Sequence, residues 1–392
     1  MSAGLPISPV GTRIEKPSTG RLAGPSVVQE QPGARQLGGT GPAGVQQLAP
    51  PAYDRPAGWG TFAAPGQTNV EPREIAGDMK LKREPARQRS ADMDTDTARQ
   101  LWELPLAERN RALLANIPGF QPSKRLGQSF LANDAAAERV AAAVAELDPP
   151  GVVEIGGGLG ALTVPILRHL PKARVIVYEI DERLCRVLAE LLSPASRRCM
   201  VVCADFLQSE PAEIGAADDW VVAGSIPYSI TTPILEKIFS GPPRWSAAVL
   251  MVQREFAERL MAGPGSRTYG ALSIFAWYHC EEILRLMKLQ PGSFWPRPEV
   301  SSVVLLLRLR LEPPAEVRTP AVFFEIVRSA FGHRRKTIFR ALTTTPPLGA
   351  SPDQIHRALD KAGIDANARP EQLSPENFAK LATALVRAVK RR

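Results

Sequence analysis

Between residues 151 and 253 short runs of Val, Ile and Ala recur at a regular interval, separated by helical periods. The runs at 151–155, 174–179, 200–204, 220–224 and 247–253 read as strands. The stretches at 159–170, 181–192 and 231–239 read as helices. Strand–helix alternation of this spacing means a parallel sheet with helices on both faces, an α/β fold. A late strand at 303–311, rich in Leu and Val, ends at Pro313-Pro314, because proline removes a donor and fixes φ. Beyond it, 320–340, 351–363 and 374–389 are helical by period. Ser351 and Ser374 each precede a proline, as N-caps do before Pro at N1. These last helices form a small all-helical C-terminal domain.

The chain accordingly divides into an N-terminal extension at 1–95, an α/β domain at 96–312 and a helical domain at 313–392. Residues 1–90 hold 12 Pro and 13 Gly without apolar periodicity, too little burial to offset ordering entropy, so a disordered tail is expected. Order begins near residues 96–101. Met1 to Val10 lacks the charged and apolar regions of a signal peptide, and no run of 18 apolar residues suggests a membrane span. The net charge of +8 points to a polyanionic partner. It is uneven: +4 in residues 1–90, +7 in 313–392, and −3 between them. The basicity therefore flanks a slightly acidic core. None of the four cysteines forms a Cys-x-x-Cys pair, which argues against a disulfide scaffold or a zinc site and suits a reducing, cytoplasmic setting. Cys199 and Cys203 are expected to pack beside the third strand, and the scattered His residues suggest no metal.

The most informative motif is Val152-Val-Glu-Ile-Gly156-Gly-Gly158-Leu-Gly160, which leaves a strand and opens a helix. Glycines there let backbone approach a ligand, and a helix N-terminus presents free N–H groups. Glu179 ends the next strand, where a carboxylate can accept from two ribose hydroxyls. Gly156-x-Gly158-x-x-Ala161 also satisfies a relaxed NAD fingerprint. Three features favour S-adenosylmethionine instead. Glu154 precedes the glycines. Asp205 ends the third strand, followed by Phe206, so that the acid can accept from an adenine amine while the ring packs on the base. An aromatic–proline motif, Gly224-Ser225-Ile226-Pro227-Tyr228, ends the fourth strand.

That last motif suits methylation of an exocyclic adenine amine, whose lone pair is delocalised into the ring. Two acceptors on its N–H bonds, Ser225 Oγ and the backbone carbonyl of Ile226 or Pro227, would favour a tetrahedral nitrogen. Tyr228 would stack on a base drawn out of its helix. Catalysis is then positioning for in-line displacement, with neither a nucleophile nor a metal.

Taken together, the residues from about Lys124 to Leu381 resemble the ribosomal RNA adenine dimethyltransferase family of KsgA type. The segments that carry the likeness are Gly127-Gln-Ser-Phe-Leu131, the glycine motif, Tyr178-Glu-Ile-Asp181, Ala204-Asp-Phe206, Ser225-Ile-Pro-Tyr228, Gln253-Arg-Glu255, Tyr269-Gly-Ala-Leu-Ser273, Phe294-Trp-Pro-Arg-Pro-Glu-Val300 and Phe331-Gly-His-Arg-Arg-Lys-Thr337. The resemblance implies a Rossmann-like S-adenosylmethionine-dependent methyltransferase sheet. It implies cofactor contacts at Ser129, Leu131, Gly156, Gly158, Glu179, Asp205 and Ser225, and Phe294 lining the base pocket opposite Tyr228. It also implies the substrate: two adjacent adenosines near the 3′ end of small-subunit (16S) ribosomal RNA, dimethylated during subunit assembly. Arg254, Arg334, Arg335 and Lys336 are the candidates for RNA phosphate. Nothing demands an oligomer.

Two positions depart from the family, Ser129 and Ser225, where Asn is usual. Asn offers both a donor and an acceptor on a longer arm, whereas Ser offers a hydroxyl. The rival readings are a large-subunit RNA methyltransferase of the antibiotic-resistance branch, a non-catalytic assembly factor that keeps the fold, and, weakest, an NAD-dependent enzyme.

Overall fold

The computed structural model describes residues 93–209, 219–240 and 245–390. The tail expected at 1–90 lies outside the described residues. Two short helices, α1 (Thr95–Glu103) and α2 (Leu106–Ala115), come first. Asp94 caps α1 by accepting from the Asp96 and Thr97 N–H groups. Then follow β1 (Phe130–Leu131), α3 (Asp134–Ala145), β2 (Gly151–Ile155), α4 (Thr163–His169), β3 (Arg174–Glu179), α5 (Glu182–Leu191), β4 (Cys199–Cys203) and β5 (Trp220–Ser225). The α/β part continues through α6 (Thr231–Ser240), β6 (Trp245–Gln253), α7 (Arg254–Leu260), α8 (Ala271–His279), β7 (Cys280–Leu289), β8 (Phe294–Trp295) and β9 (Ser302–Leu309). Four helices end the chain: α9 (Pro320–Gly332), α10 (Ile338–Thr344), α11 (Pro352–Ala362) and α12 (Pro375–Lys390).

The seven-stranded sheet has the order β4-β3-β2-β5-β6-β9-β7. The first five strands are parallel, as expected, but β9 runs antiparallel to both β6 and β7, so the sheet is mixed. β7 escapes a reading by composition because Glu281, Glu282, Arg285 and Lys288 interrupt it. Such charges are what an edge strand uses to discourage further pairing. β1 and β8 form a separate antiparallel pair, with Leu131 opposite Phe294.

Alternating residues of the central strands feed two cores. Val152, Val175 and Val177 pack with α3 and α5, whereas Val153, Ile155, Ile176 and Tyr178 join α6 and α8. The second core runs without a break into Phe323, Ile355 and Phe378, so the C-terminal helices share one apolar cluster with the sheet.

Three expected elements differ in detail. The helix expected at 159–170 begins at Thr163, because residues 156–160 remain a turn with three glycines at positive φ. The single helix expected at 320–340 is two. It stops at Gly332 and restarts behind Thr337, whose hydroxyl accepts from the Arg340 N–H. Cys203 is not simply packed: it is joined to Cys185, with a Cα–Cα distance of 5.7 Å. Only the fold brings the start of α5 beside the end of β4, so the spacing of the cysteines carried no sign of it. The caps at Ser351 and Ser374 form as expected.

Candidate active site

The C-terminal ends of β2, β3, β4 and β5 open onto one cleft. In an open α/β sheet this is where the strand order reverses and ligands bind. Ser129, Leu131, Gly156, Gly158, Glu179, Asp205 and Ser225 all line it. Sequence reasoning missed Ile180, which also lines it and is 49% exposed. Its signal was its place directly after the acidic strand end, where an apolar side chain can cover a base.

The glycine turn is held by its own hydrogen bonds. Gly156 and Gly157 donate to the Tyr178 carbonyl, Gly158 donates to Glu179 Oε2 at 2.8 Å, and Gly160 donates to the Gly157 carbonyl. Four N–H groups of the turn are therefore engaged inside the protein. Gly156 and Gly158 stand at φ +77° and +54°, and the turn packs closely on the core, where a Cβ on Gly157 would lie 2.3 Å from Val177.

Glu179 is buried. It accepts from the Ile180 and Asp181 N–H groups through Oε1, both at 2.9 Å, and from Gly158 through Oε2. Burial pushes its carboxyl up, and these bonds pull it back. Glu154 lies deeper, 1% exposed, and accepts from Thr163 Oγ1 at 2.6 Å. Burial pushes its carboxyl up to about 8, so it holds a proton at neutral pH. Asp205 uses Oδ1 to cap the turn that follows it, accepting from the Leu207 N–H at 2.9 Å. Phe206 lines the cleft and meets Tyr178 edge-on at 5.4 Å. Gln128, a bystander in the sequence reading, accepts from the Ser123 N–H and donates to Asp181 at 2.8 Å, which pins the β1 approach to the end of β3.

At the end of β5, Ser225 Oγ lies 3.6 Å from Met251 Sδ, a weak acceptor that leaves the oxygen lone pairs available. The Pro227 carbonyl accepts from the Ile230 N–H and from Thr231 Oγ1. Of the two carbonyls considered, Ile226's is thus the one not taken up by this turn. The Ile226 side chain is buried and its N–H donates to Met251. Tyr228 is half-buried, with its hydroxyl 2.9 Å from Ser302 Oγ. Phe294 is buried opposite Leu131, whereas its neighbour Trp295 is 48% exposed. Ser129 donates to the Pro296 carbonyl at 2.7 Å, tying the cleft floor to the loop after Phe294.

The candidate RNA contacts separate into two kinds. Arg335 and Lys336 are exposed in the turn between α9 and α10, and Lys336 reaches only Thr344 Oγ1. Arg334 instead donates to the Arg267 carbonyl at 2.6 Å and pairs with Glu371 at 3.6 Å, so it braces a loop. Arg254 is exposed at the start of α7, 3.8 Å from Glu258. Among the described residues no cluster of His, Cys, Asp and Glu could hold a metal, and no helix is long and apolar enough to cross a membrane.

Residues 119–386 match the family model described as ribosomal RNA adenine dimethylase. This chain belongs to that family. The ribosomal RNA small subunit methyltransferase A of Geobacillus thermodenitrificans is 37% identical over 284 residues, which span 71% of this chain and 95% of the relative. Its counterpart in Geobacillus kaustophilus is 39% identical over 273 residues, 68% of this chain and 92% of that one. Among solved structures, a dimethyladenosine transferase from Plasmodium falciparum superposes with a TM-score of 0.56 at 25% identity, covering 66% of this chain and 98% of that chain. The 23S rRNA methyltransferase ErmE superposes with a TM-score of 0.50 at 30% identity, over 66% and 99%. The adenine dimethylase assigned here is therefore a methyltransferase whose cofactor is S-adenosylmethionine. Its cleft suits that cofactor in having two acidic strand ends beside a glycine turn.

Proposed function

We propose that this adenine dimethylase methylates the N6 amines of two adjacent adenosines near the 3′ end of small-subunit ribosomal RNA, on the immature subunit. The likeness to small subunit ribosomal RNA methyltransferases supports the substrate, and one observation of the structure supports the chemistry: Glu179, Asp205 and Ser225 converge on a single cleft beside a glycine turn. Glu179 would accept from the ribose hydroxyls and Asp205 from the adenine amine of the cofactor. Gly156 and Gly158 would admit its backbone side, with Ser129 and Leu131 on the neighbouring segment. When bound, S-adenosylmethionine supplies an electrophilic methyl group.

Ser225 Oγ and the Ile226 carbonyl would accept from the target amine, and Pro227 would hold that carbonyl in place. Tyr228 would stack on the base, with Phe294 behind the loop that faces it. Held this way, the amine nitrogen would face the methyl group that the cofactor supplies, and its proton would leave to solvent. Arg335 and Lys336, with Arg254 nearer the cleft, would meet RNA phosphates, and Arg334 would hold the loop that carries them. The protein would act as a monomer in the cytoplasm.

The likeness to the 23S rRNA methyltransferase gives the rival substrate. Mass spectrometry of nucleosides from immature small and large subunits, each incubated with the protein and cofactor, decides between them. Dimethyladenosine in the small-subunit RNA is expected. Its appearance only in large-subunit RNA, or in neither, overturns the proposal.

A further inference from the structure

Helix α2 lies before the residues that the family model matches, yet two of its neighbouring side chains bond to segments that build the cleft. Arg109 is 2% exposed, and its Nη2 donates to the Gly160 carbonyl at 3.1 Å. That carbonyl closes the glycine turn and also accepts from Val164 at 3.2 Å, at the start of α4. Asn110 is 6% exposed and donates to the Leu131 carbonyl at 3.0 Å. Leu131 pairs with Phe294 in the β1–β8 ribbon. The helix start is fixed as well: the Leu106 N–H donates to Asp134 Oδ1 at 2.9 Å, directly behind β1.

We propose that Arg109 and Asn110 are positioning residues, Arg109 setting the glycine turn and Asn110 setting Leu131 of β1, both against the cofactor. Stability alone does not call for this arrangement. A buried cation loses its hydration, and an apolar side chain of similar volume generally serves a core as well or better. Arg109 retains an Nε without a partner among the described residues, as Asn110 retains an Oδ1, so neither side chain is there for full satisfaction. What a buried guanidinium provides is direction, since its planar fork holds a carbonyl at a set angle. Burial lowers Arg109 to about 10, which leaves it charged at neutral pH. The two bonds go to two neighbouring segments, the glycine turn and β1, that line the same cleft, so both residues should act on cofactor binding.

This inference rests on the function proposed above, and its test separates the two. Arg109→Met keeps the packing and removes the bond. It should raise the KM for S-adenosylmethionine about tenfold and leave the KM for RNA within about twofold, because a charged donor to a buried acceptor is lost. Arg109→Lys, which keeps the charge, should recover part of that loss. Asn110→Ala should likewise raise the KM for S-adenosylmethionine severalfold and leave the KM for RNA within about twofold. A merely structural role predicts that both variants lower Tm and the active fraction while both KM values stay at the wild-type level, and that outcome overturns the proposal. Amide exchange across residues 156–162 gives a readout independent of turnover. It should quicken in Arg109→Met and not in Asn110→Ala, and equal protection in both overturns the Arg109 assignment even if Arg109→Met folds too poorly to assay. Should the wild-type protein bind no S-adenosylmethionine, the functional proposal fails, while the exchange measurement still decides the brace.

Discussion

Replacing Glu154 with Gln should stabilise the protein, and more so as pH rises. The carboxyl is 1% exposed in the middle of β2, and burial lifts it from 4.5 to about 8. Between those values the unfolded chain has lost this proton while the folded protein retains it, so stability falls as pH rises through that window and levels off above it. At about 1.4 kcal/mol per pH unit, the full interval is worth on the order of 5 kcal/mol, an upper bound because local opening lets water relieve the charge. Gln keeps an acceptor for Thr163 Oγ1 and cannot ionise. Urea denaturation of both proteins at a series of pH values should show equal stability near the acid end and a gap of several kcal/mol near pH 8. Burial lifts Glu236 to about 7 and so gives the same sign, whereas Arg183 holds Asp181 down to about 2 and gives the opposite one. Both are common to the two proteins and cancel in the difference. Parallel stability curves would refute the argument, since they would mean Glu154 is ionised in the folded state.

Three further outcomes are expected. Tyr228→Ala should lower kcat about 10- to 100-fold and Tyr228→Phe much less, since stacking is retained and only the contact with Ser302 is lost; single-turnover methyl transfer measures both, and an active Ala variant removes the stacking role. Replacing Arg335 and Lys336 together by Ala should flatten the slope of log affinity against log salt by about one to two, read by RNA binding across a salt series, whereas an unchanged slope would place the phosphate contacts elsewhere. Reducing the Cys185–Cys203 link, which spans 18 residues, should remove about 3 kcal/mol of stability by loop-closure entropy, and a melting temperature insensitive to reductant would count against the link.

Much of the site was legible because strand ends are local. An acid or a glycine turn directly after a Val-rich run must fall at one edge of a parallel sheet, so Gly156, Glu179, Asp205 and Ser225 could be placed together from order alone. Contacts across long separations were not legible. Gln128 to Asp181, Arg109 to Gly160 and Cys185 to Cys203 join segments whose nearness depends on how helices pack. The basic run after α9 was visible as charge, but the division of labour within it was not. Arg334 faces Glu371 and a loop carbonyl while Arg335 and Lys336 are exposed, Lys336 touching Thr344, and that follows from a helix break at Gly332.

The sequence by itself determined the α/β class, the cleft's position and the chemistry of its acids, because period and strand-end identity are properties of neighbouring residues. Only the tertiary structure decided that four N–H groups of the glycine turn are engaged within the protein, that the Pro227 carbonyl is engaged within its own turn, and that α2 braces two segments of the cleft lining. The reason is the same in each case. Which hydrogen-bonding groups are left for a ligand depends on which ones the fold has already paired, and those partners lie on other strands and helices.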